Sequence, residues 1–198
     1  MNRVFTCCNG LFQVPDETLL SPFLNARDLN SGLDWDTLEG MGITAGQINP
    51  GVVSQIHVHP FTTLVTIILK GSLSIHMKDP GTPDMRYTLL LKHDPDPGNK
   101  GFGLAAALTL PGTFIQHDNS QGREPAQVLY LTSPAFVFEP GPTPESMPTY
   151  DDAIVVRKDW ARLAREGWQP AELNDPSHSY AARRRAMNRL ARKSYCRS

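Results

Sequence analysis

The chain has 198 residues, of which 40% are hydrophobic and 20% charged, which suits one sizeable globular core and excludes both a disordered chain and two ordinary domains. Net charge is −1 overall, yet residues 1–156 hold 8 Lys+Arg against 16 Asp+Glu while residues 157–198 hold 11 against 4, so an acidic body carries a basic tail. No apolar run approaches a membrane span and the N-terminus has no continuous apolar stretch of the signal-peptide kind, so the expectation is a soluble cytoplasmic protein.

Residues 1–33 mix short apolar runs, Leu11-Phe12 and Leu19-Leu20, with Pro15 and Pro22. They read as extended segments with one helical turn. Cys7, Cys8 and Cys196 are odd in number and two are adjacent, which fits a reducing compartment and no disulfide framework. Asp34 to Glu39 reads as a loop or short strand, and Gly42 to Asn49 leads into the turn dipeptide Pro50-Gly51.

Strands are expected at Val53–Val58, Leu64–Leu69 and Ser72–Met77. The run Leu64–Leu69 is apolar and β-branched and reads as buried on both faces. In Ser72–Met77 apolar and polar residues alternate, so one face is wet. Met85–Leu91, Leu104–Leu110, Phe114–Asn119 and Val128–Thr132 follow as short strands separated by turns rich in Pro and Gly. No helix of note falls between residues 40 and 135, which argues for an all-β sandwich or barrel.

Residues 139–149 hold four prolines and read as a surface linker. A helix capped by Asp159 is expected next, with Trp160, Leu163 and Ala164 on one face. A last helix opens at Ser177 or Ser179, with Tyr180, Met187 and Leu190 on one stripe and the arginines mostly on the other. Its arginines could grip nucleic acid, but the acidic body would repel that partner. The preferred reading is a helix docked by its apolar stripe.

The stretch from Gly51 to His59 concentrates the chemistry. His57 and His59 are two positions apart, a spacing that sends both imidazoles to one face of a strand. Two nitrogen donors on a rigid strand are half of a metal site. His76, His93 and His178 read as satisfied or surface residues, and Asp94 and Asp96 as members of a turn. No Ser/His/Asp signature, phosphate-cradling glycine loop or zinc-finger spacing is present.

With Gly71 twelve residues after His59, the pattern resembles the cupin family. The first cupin motif is Gly, five residues, His-x-His, three or four residues, Glu, six residues, Gly, and Gly51, His57, His59 and Gly71 stand at the matching places. The second motif is resembled at Pro111, Gly112 and Asn119. The resemblance covers roughly residues 42–138 and implies a jelly-roll barrel, an agreement with the strand count. Residues 1–39 then form an N-terminal arm, 40–138 the cupin barrel, and 139–198 the Pro-rich linker and helical extension. The family's Glu falls at Thr63 or Leu64, and neither binds a metal well. The family's last His falls at Ile115, while His117 stands two residues further on and shares its face.

What the resemblance implies is a divalent metal held by His57, His59 and His117, Fe(II) first, with Zn, Mn, Cu or Ni open; imidazole also suits Zn, Cu and Ni. Three histidines without a carboxylate match a subgroup of cupin dioxygenases. The expected function is therefore a metal-dependent enzyme acting on a small molecule, a non-haem iron oxidoreductase of dioxygenase type. The alternatives are isomerase, cyclase or lyase chemistry with the metal as Lewis acid, or a non-catalytic small-molecule-binding cupin. Gln47, Gln55, Thr63, Thr66 and Gln116 are candidate substrate contacts. A homodimer is expected from the resemblance.

Overall fold

The computed structural model describes residues 12–13, 18–24, 41–82, 85–94, 103–134, 138–139, 149–150, 154–156 and 159–168. Thirteen strands and one helix are described. They are β1 (Phe12–Gln13), β2 (Leu19–Leu24), β3 (Gly42–Ile48), β4 (Ile56–Val58), β5 (Thr63–Lys70), β6 (Ser72–Lys78), β7 (Tyr87–Lys92), β8 (Ala106–Thr109), β9 (Phe114–Asp118), β10 (Ala126–Ser133), β11 (Phe138–Glu139), β12 (Thr149–Tyr150), β13 (Ile154–Val156) and α1 (Trp160–Glu166).

Alternation of buried and less buried residues along β3, β5 and β6 gives each strand one inward face, and the β-branched residues that dominate β5 suit a pleated, half-buried surface. Eleven of the strands form a six-stranded sheet, β1-β2-β3-β10-β5-β8, and a five-stranded sheet, β13-β4-β9-β6-β7, and β11 pairs with β12 alone. Every pairing is antiparallel. Apart from β1-β2-β3 and β6-β7, neighbours in the two large sheets are not consecutive in sequence, as in a jelly roll.

The two sheets face each other across one core. Ile48, Leu64, Ile68, Ala107, Val128 and Tyr130 come from the six-stranded sheet, and Leu73, Ile75, Met77, Leu91 and Ile115 from the other. A second cluster lies outside the five-stranded sheet, where Ile56, Val58 and Phe114 pack on Leu163 of α1 with Trp160 and Trp168 beside them. Asp159 caps α1 through its side chain, which accepts from the Arg162 amide at 2.6 Å. β4 is therefore apolar on its outer face, against α1, and carries His57 on its inner one.

Several expectations are corrected in detail. The strand expected over Val53–Val58 pairs regularly only from Ile56, and Val53 makes a single bridge to Asp118. The run Leu64–Leu69 is buried on one face, not two: Leu64, Thr66 and Ile68 point inward, Val65 and Ile67 are half-buried, and Leu69 is exposed. An apolar outer face here imitates the pattern of a strand covered on both sides. Met85–Leu91 begins at Tyr87, and Leu104–Leu110 narrows to Ala106–Thr109. Ala164, expected on the docking face of α1, is exposed.

Strands from both sides of residues 40–138 join the sheets: β2 pairs with β3, and β13 pairs with β4 through Val155 opposite His57. The expected helix at 177–193, the loop at 34–39, the three cysteines, Asp96 and His178 lie outside the described residues. Among the described residues no helix is long and apolar enough to cross a membrane.

Candidate metal and ligand site

β4 and β9 bring the three histidines together. His57 stands opposite Ile115 in the β4–β9 register, so His117, two residues on, takes the diagonal position on the same face. The His57 and His117 ring centroids are 5.9 Å apart, and His57 and His59 are 5.1 Å apart and perpendicular. The displacement of His117 from the family's usual place thus preserves its face and moves it one pair along. Ile115, at that usual place, is fully buried in the core.

The lead into β4 is pinned to β9 by Ser54. Its amide donates to the His117 carbonyl at 2.8 Å, and its Oγ accepts from the His117 amide at 2.8 Å. Asn119, just past β9, fixes the same end. Its Nδ2 donates to the carbonyls of Ile48 at 2.8 Å and Glu124 at 3.1 Å, and its backbone pairs with Gly51 and Val52. Gly51 itself takes φ of 84°, which only glycine adopts without strain.

Electrostatics favours neutral imidazoles. His59 and His117 are 4% and 6% exposed. Burial, then the neighbouring His57 and His117 rings, lowers the His59 pKa well below its ordinary value. Burial, then His57, takes His117 down to about 3. Both rings are therefore unprotonated near neutrality, the state a metal requires of a nitrogen donor. His57 Nδ1 lies 2.9 Å from the Gln55 carbonyl; a carbonyl only accepts, so Nδ1 carries the proton of this bond. A backbone carbonyl on the second ring nitrogen is the usual way a metal-binding imidazole is oriented. His117 Nε2 is buried without a hydrogen-bond partner, and Tyr130 lies against its ring at 5.6 Å between centroids.

These are features of a donor set that fits a divalent cation. Against them, no three His, Cys, Asp or Glu side chains among the described residues are already close enough to clasp an ion. Of the two places where the resemblance sets a carboxylate, Thr63 and Leu64, only Leu64 faces inward, and it is 2% exposed. Asp79 follows β6 at the rim, but its carboxylate is taken by the Tyr87 hydroxyl, 2.9 Å from both oxygens, and by Thr113 Oγ1 at 3.3 Å.

The other expected contacts divide by strand parity. Thr66 faces inward and is fully buried. Thr63 lies on the face opposite Leu64. Gln47 lies opposite the inward Gly46 and Ile48, and its Nε2 donates to Asn49 Oδ1. Gln116 faces outward, donating to the Ser54 carbonyl and accepting from Trp160 Nε1 at 2.7 Å. Gln55 is exposed and meets the site through its backbone alone. The placements of Gln47, Thr63 and Gln116 thus run against substrate contact inside the barrel, because the one-residue alternation sends them outside.

His76 is satisfied, as expected, with Thr88 Oγ1 at 2.8 Å and Asp118 Oδ2 at 3.0 Å on the outer face. His93 sits half-buried and Asp94 exposed in the loop after β7. Sequence reasoning passed over Thr62, Thr109, Thr132 and Tyr130, all buried. The alternation of Thr109 with Leu108, and of Tyr130 and Thr132 with Leu129 and Leu131, was the available signal.

No family model matches the sequence, and no curated protein matches it. Solved structures do. Protein SO0799 from Shewanella oneidensis is 19% identical, over 78% of this chain and 82% of that one, with a TM-score of 0.52. The oxalate decarboxylase of Lactobacillus farciminis, in a formate complex, is 12% identical over 87% of this chain and 38% of its own, with a TM-score of 0.50. An oxalate oxidase is 15% identical over 61% of this chain, with a TM-score of 0.46. The chain spans about half the length of that oxidase, at 52%, and 38% of the decarboxylase. The likeness to SO0799 and to the decarboxylase shows the fold alone, and that fold is the all-β jelly roll that the cupin resemblance implies.

Proposed function

We propose that this chain is a metal-dependent cupin enzyme acting on a small molecule, with His57, His59 and His117 as the metal donors and an oxidoreductase of dioxygenase type as the reaction class. The observation that carries the reading is the meeting of three imidazoles on one inward face with no carboxylate among them. A bound Fe(II) would supply reactivity towards dioxygen. The chain's own part is to keep His59 and His117 neutral by burial, to hold the His57 ring through the Gln55 carbonyl, and to exclude bulk water with Tyr130 and the apolar wall behind it.

The test is metal analysis of the full chain. Chelator-treated protein is titrated separately with Fe(II), Mn(II), Zn(II), Cu(II) and Ni(II). One equivalent of at least one ion is expected, weakened at least about 100-fold in His57→Ala and His117→Ala. Substoichiometric uptake of every ion by the wild type overturns the reading. Oxygen consumption with candidate substrates then separates oxidoreductase chemistry from isomerase, cyclase or lyase chemistry.

The spacing of the donors favours one second reading, a cup that binds a small molecule without catalysis. That reading expects ligand binding to survive His57→Ala and His117→Ala. We also read the assembly as a homodimer. Leu90, Leu104, Leu108 and Leu110, 50–67% exposed on and beside the edge strands β7 and β8, support it, and sedimentation showing monomer alone would contradict it.

A further inference from the structure

We propose that the interior of this barrel takes an uncharged, polyoxygenated small molecule, held by the hydroxyls of Thr62, Thr66, Thr109 and Thr132. The inference rests on the barrel interior being the ligand site, as proposed above, and names the class of ligand.

The four side chains gather around the place of the missing acid. Thr132 on β10 and Thr109 on β8 both stand opposite Leu64 in register. Directly opposed residues put their Cβ atoms about 4.5–5.5 Å apart, so the two hydroxyls flank the Leu64 side chain. Thr66 is two residues along the same face of β5, and Thr62 is buried just ahead of the strand. All four are at most 2% exposed. None of their Oγ1 atoms has a hydrogen-bond partner, and His117 Nε2 is in the same condition. The family's position for a charged ligand is here an apolar side chain ringed by hydroxyls.

An unpaired buried hydroxyl destabilises a fold, and valine would fill the same volume without that cost. Four such groups on one wall are what a site for a hydrogen-bonding ligand looks like before the ligand arrives. A hydroxyl both donates and accepts, so it suits the hydroxyl and carbonyl oxygens of a neutral molecule. The charge balance points the same way. Among the described residues the buried polar ones include no Asp, Glu or Arg, and the buried Lys78 turns outward to the carbonyls of Asp79 and Thr82. A carboxylate ligand would lose its hydration and meet no protein cation inside.

The experiment uses the full chain after chelator treatment, so that metal and ligand are separated. Glycerol, xylose and glucose are the neutral probes, and acetate and succinate the anionic ones. Binding is followed by calorimetry in the wild type and in Thr66→Val, Thr109→Val and Thr132→Val. At least one neutral probe is expected to bind in preference to both anions, and to bind at least about tenfold more weakly to each variant. Each variant, free of ligand, is expected to melt no lower than the wild type, because the lost hydroxyl had no partner. Preference for an anion, failure of every neutral probe, or binding unchanged in the variants overturns the proposal. So does a lower melting temperature in the variants, which would show the hydroxyls already engaged. Loss of metal uptake in His57→Ala concerns the metal reading alone and leaves this result where it stands.

Discussion

Tyr130 occupies the space that a side chain at Gly46 would need. A Cβ built on Gly46 would lie 2.6 Å from Tyr130 Cε2 and 3.0 Å from Val128 Cγ2. The glycine on β3 is what lets the Tyr130 ring lie across the inner face and reach His117. Gly46→Ala is expected to push that ring aside, lowering stability by about 1–3 kcal/mol, the range for overpacking a tight core. Denaturant unfolding measures the loss. Metal uptake weakened in the same variant would show that Tyr130 positions His117.

Leu64 stands where the resemblance places a carboxylate. Leu64→Glu buries an acid at a site with no cation, at an expected cost of about 3 kcal/mol or more without metal. If the three imidazoles hold a cation nearby, added metal restores more of the melting temperature in Leu64→Glu than it adds to the wild type. Equal metal-induced shifts in the two proteins would place the cation elsewhere.

Asn119 ties the end of β9 to the chain on either side. Asn119→Ala leaves the buried Ile48 carbonyl without its donor, for an expected loss of about 1–3 kcal/mol. Gly122 offers a second view of the same knot, since a Cβ there would lie 1.8 Å from Asn119 Oδ1. Gly122→Ala should destabilise wild-type protein and cost little more in the Asn119→Ala background. Thermal melts of the two single variants and the double variant decide it.

Tyr87 makes the pH dependence concrete. Burial, then its hydrogen bond to Asp79 and the Asp79 charge, raises the phenol from 10.0 to about 12. The folded state therefore holds this proton more tightly than the unfolded state. The resulting stabilisation is complete below pH 10 and disappears as pH rises towards 12. Tyr87→Phe is expected to be less stable than wild type by a constant amount below pH 10, with the gap closing above it. Urea titrations at pH 8 and pH 11 check the sign.

The barrel was legible because most of its strands alternate in sequence as they do in space. His57 and His59 were legible from spacing, and His117 from parity, since a two-residue shift on a strand keeps the face. Parity also explains what was misread. GITAGQI is apolar or small on both faces of β3, so nothing local showed that Gln47 looks outward. LVTIIL reads as doubly buried because Val65 and Ile67 are apolar on a face that is only half covered. Gln116 neighbours His117 and so takes the other face, yet its engagement by Trp160, 44 residues later, is a long-range contact that no window of sequence contains. Thr66 apart, the threonines escaped notice because a single threonine on a strand is ordinary, and only the register sets Thr109 and Thr132 on either side of Leu64.

The pairing of Val155 with His57 has a consequence for how the protein is made. β4 keeps one row of backbone groups unmet until a segment nearly a hundred residues downstream arrives. A nascent chain emerging from the ribosome must carry this open edge, the template on which chains aggregate, until residues 154–156 close it. The histidine pair is among the earlier parts to be synthesised and among the last to be finished.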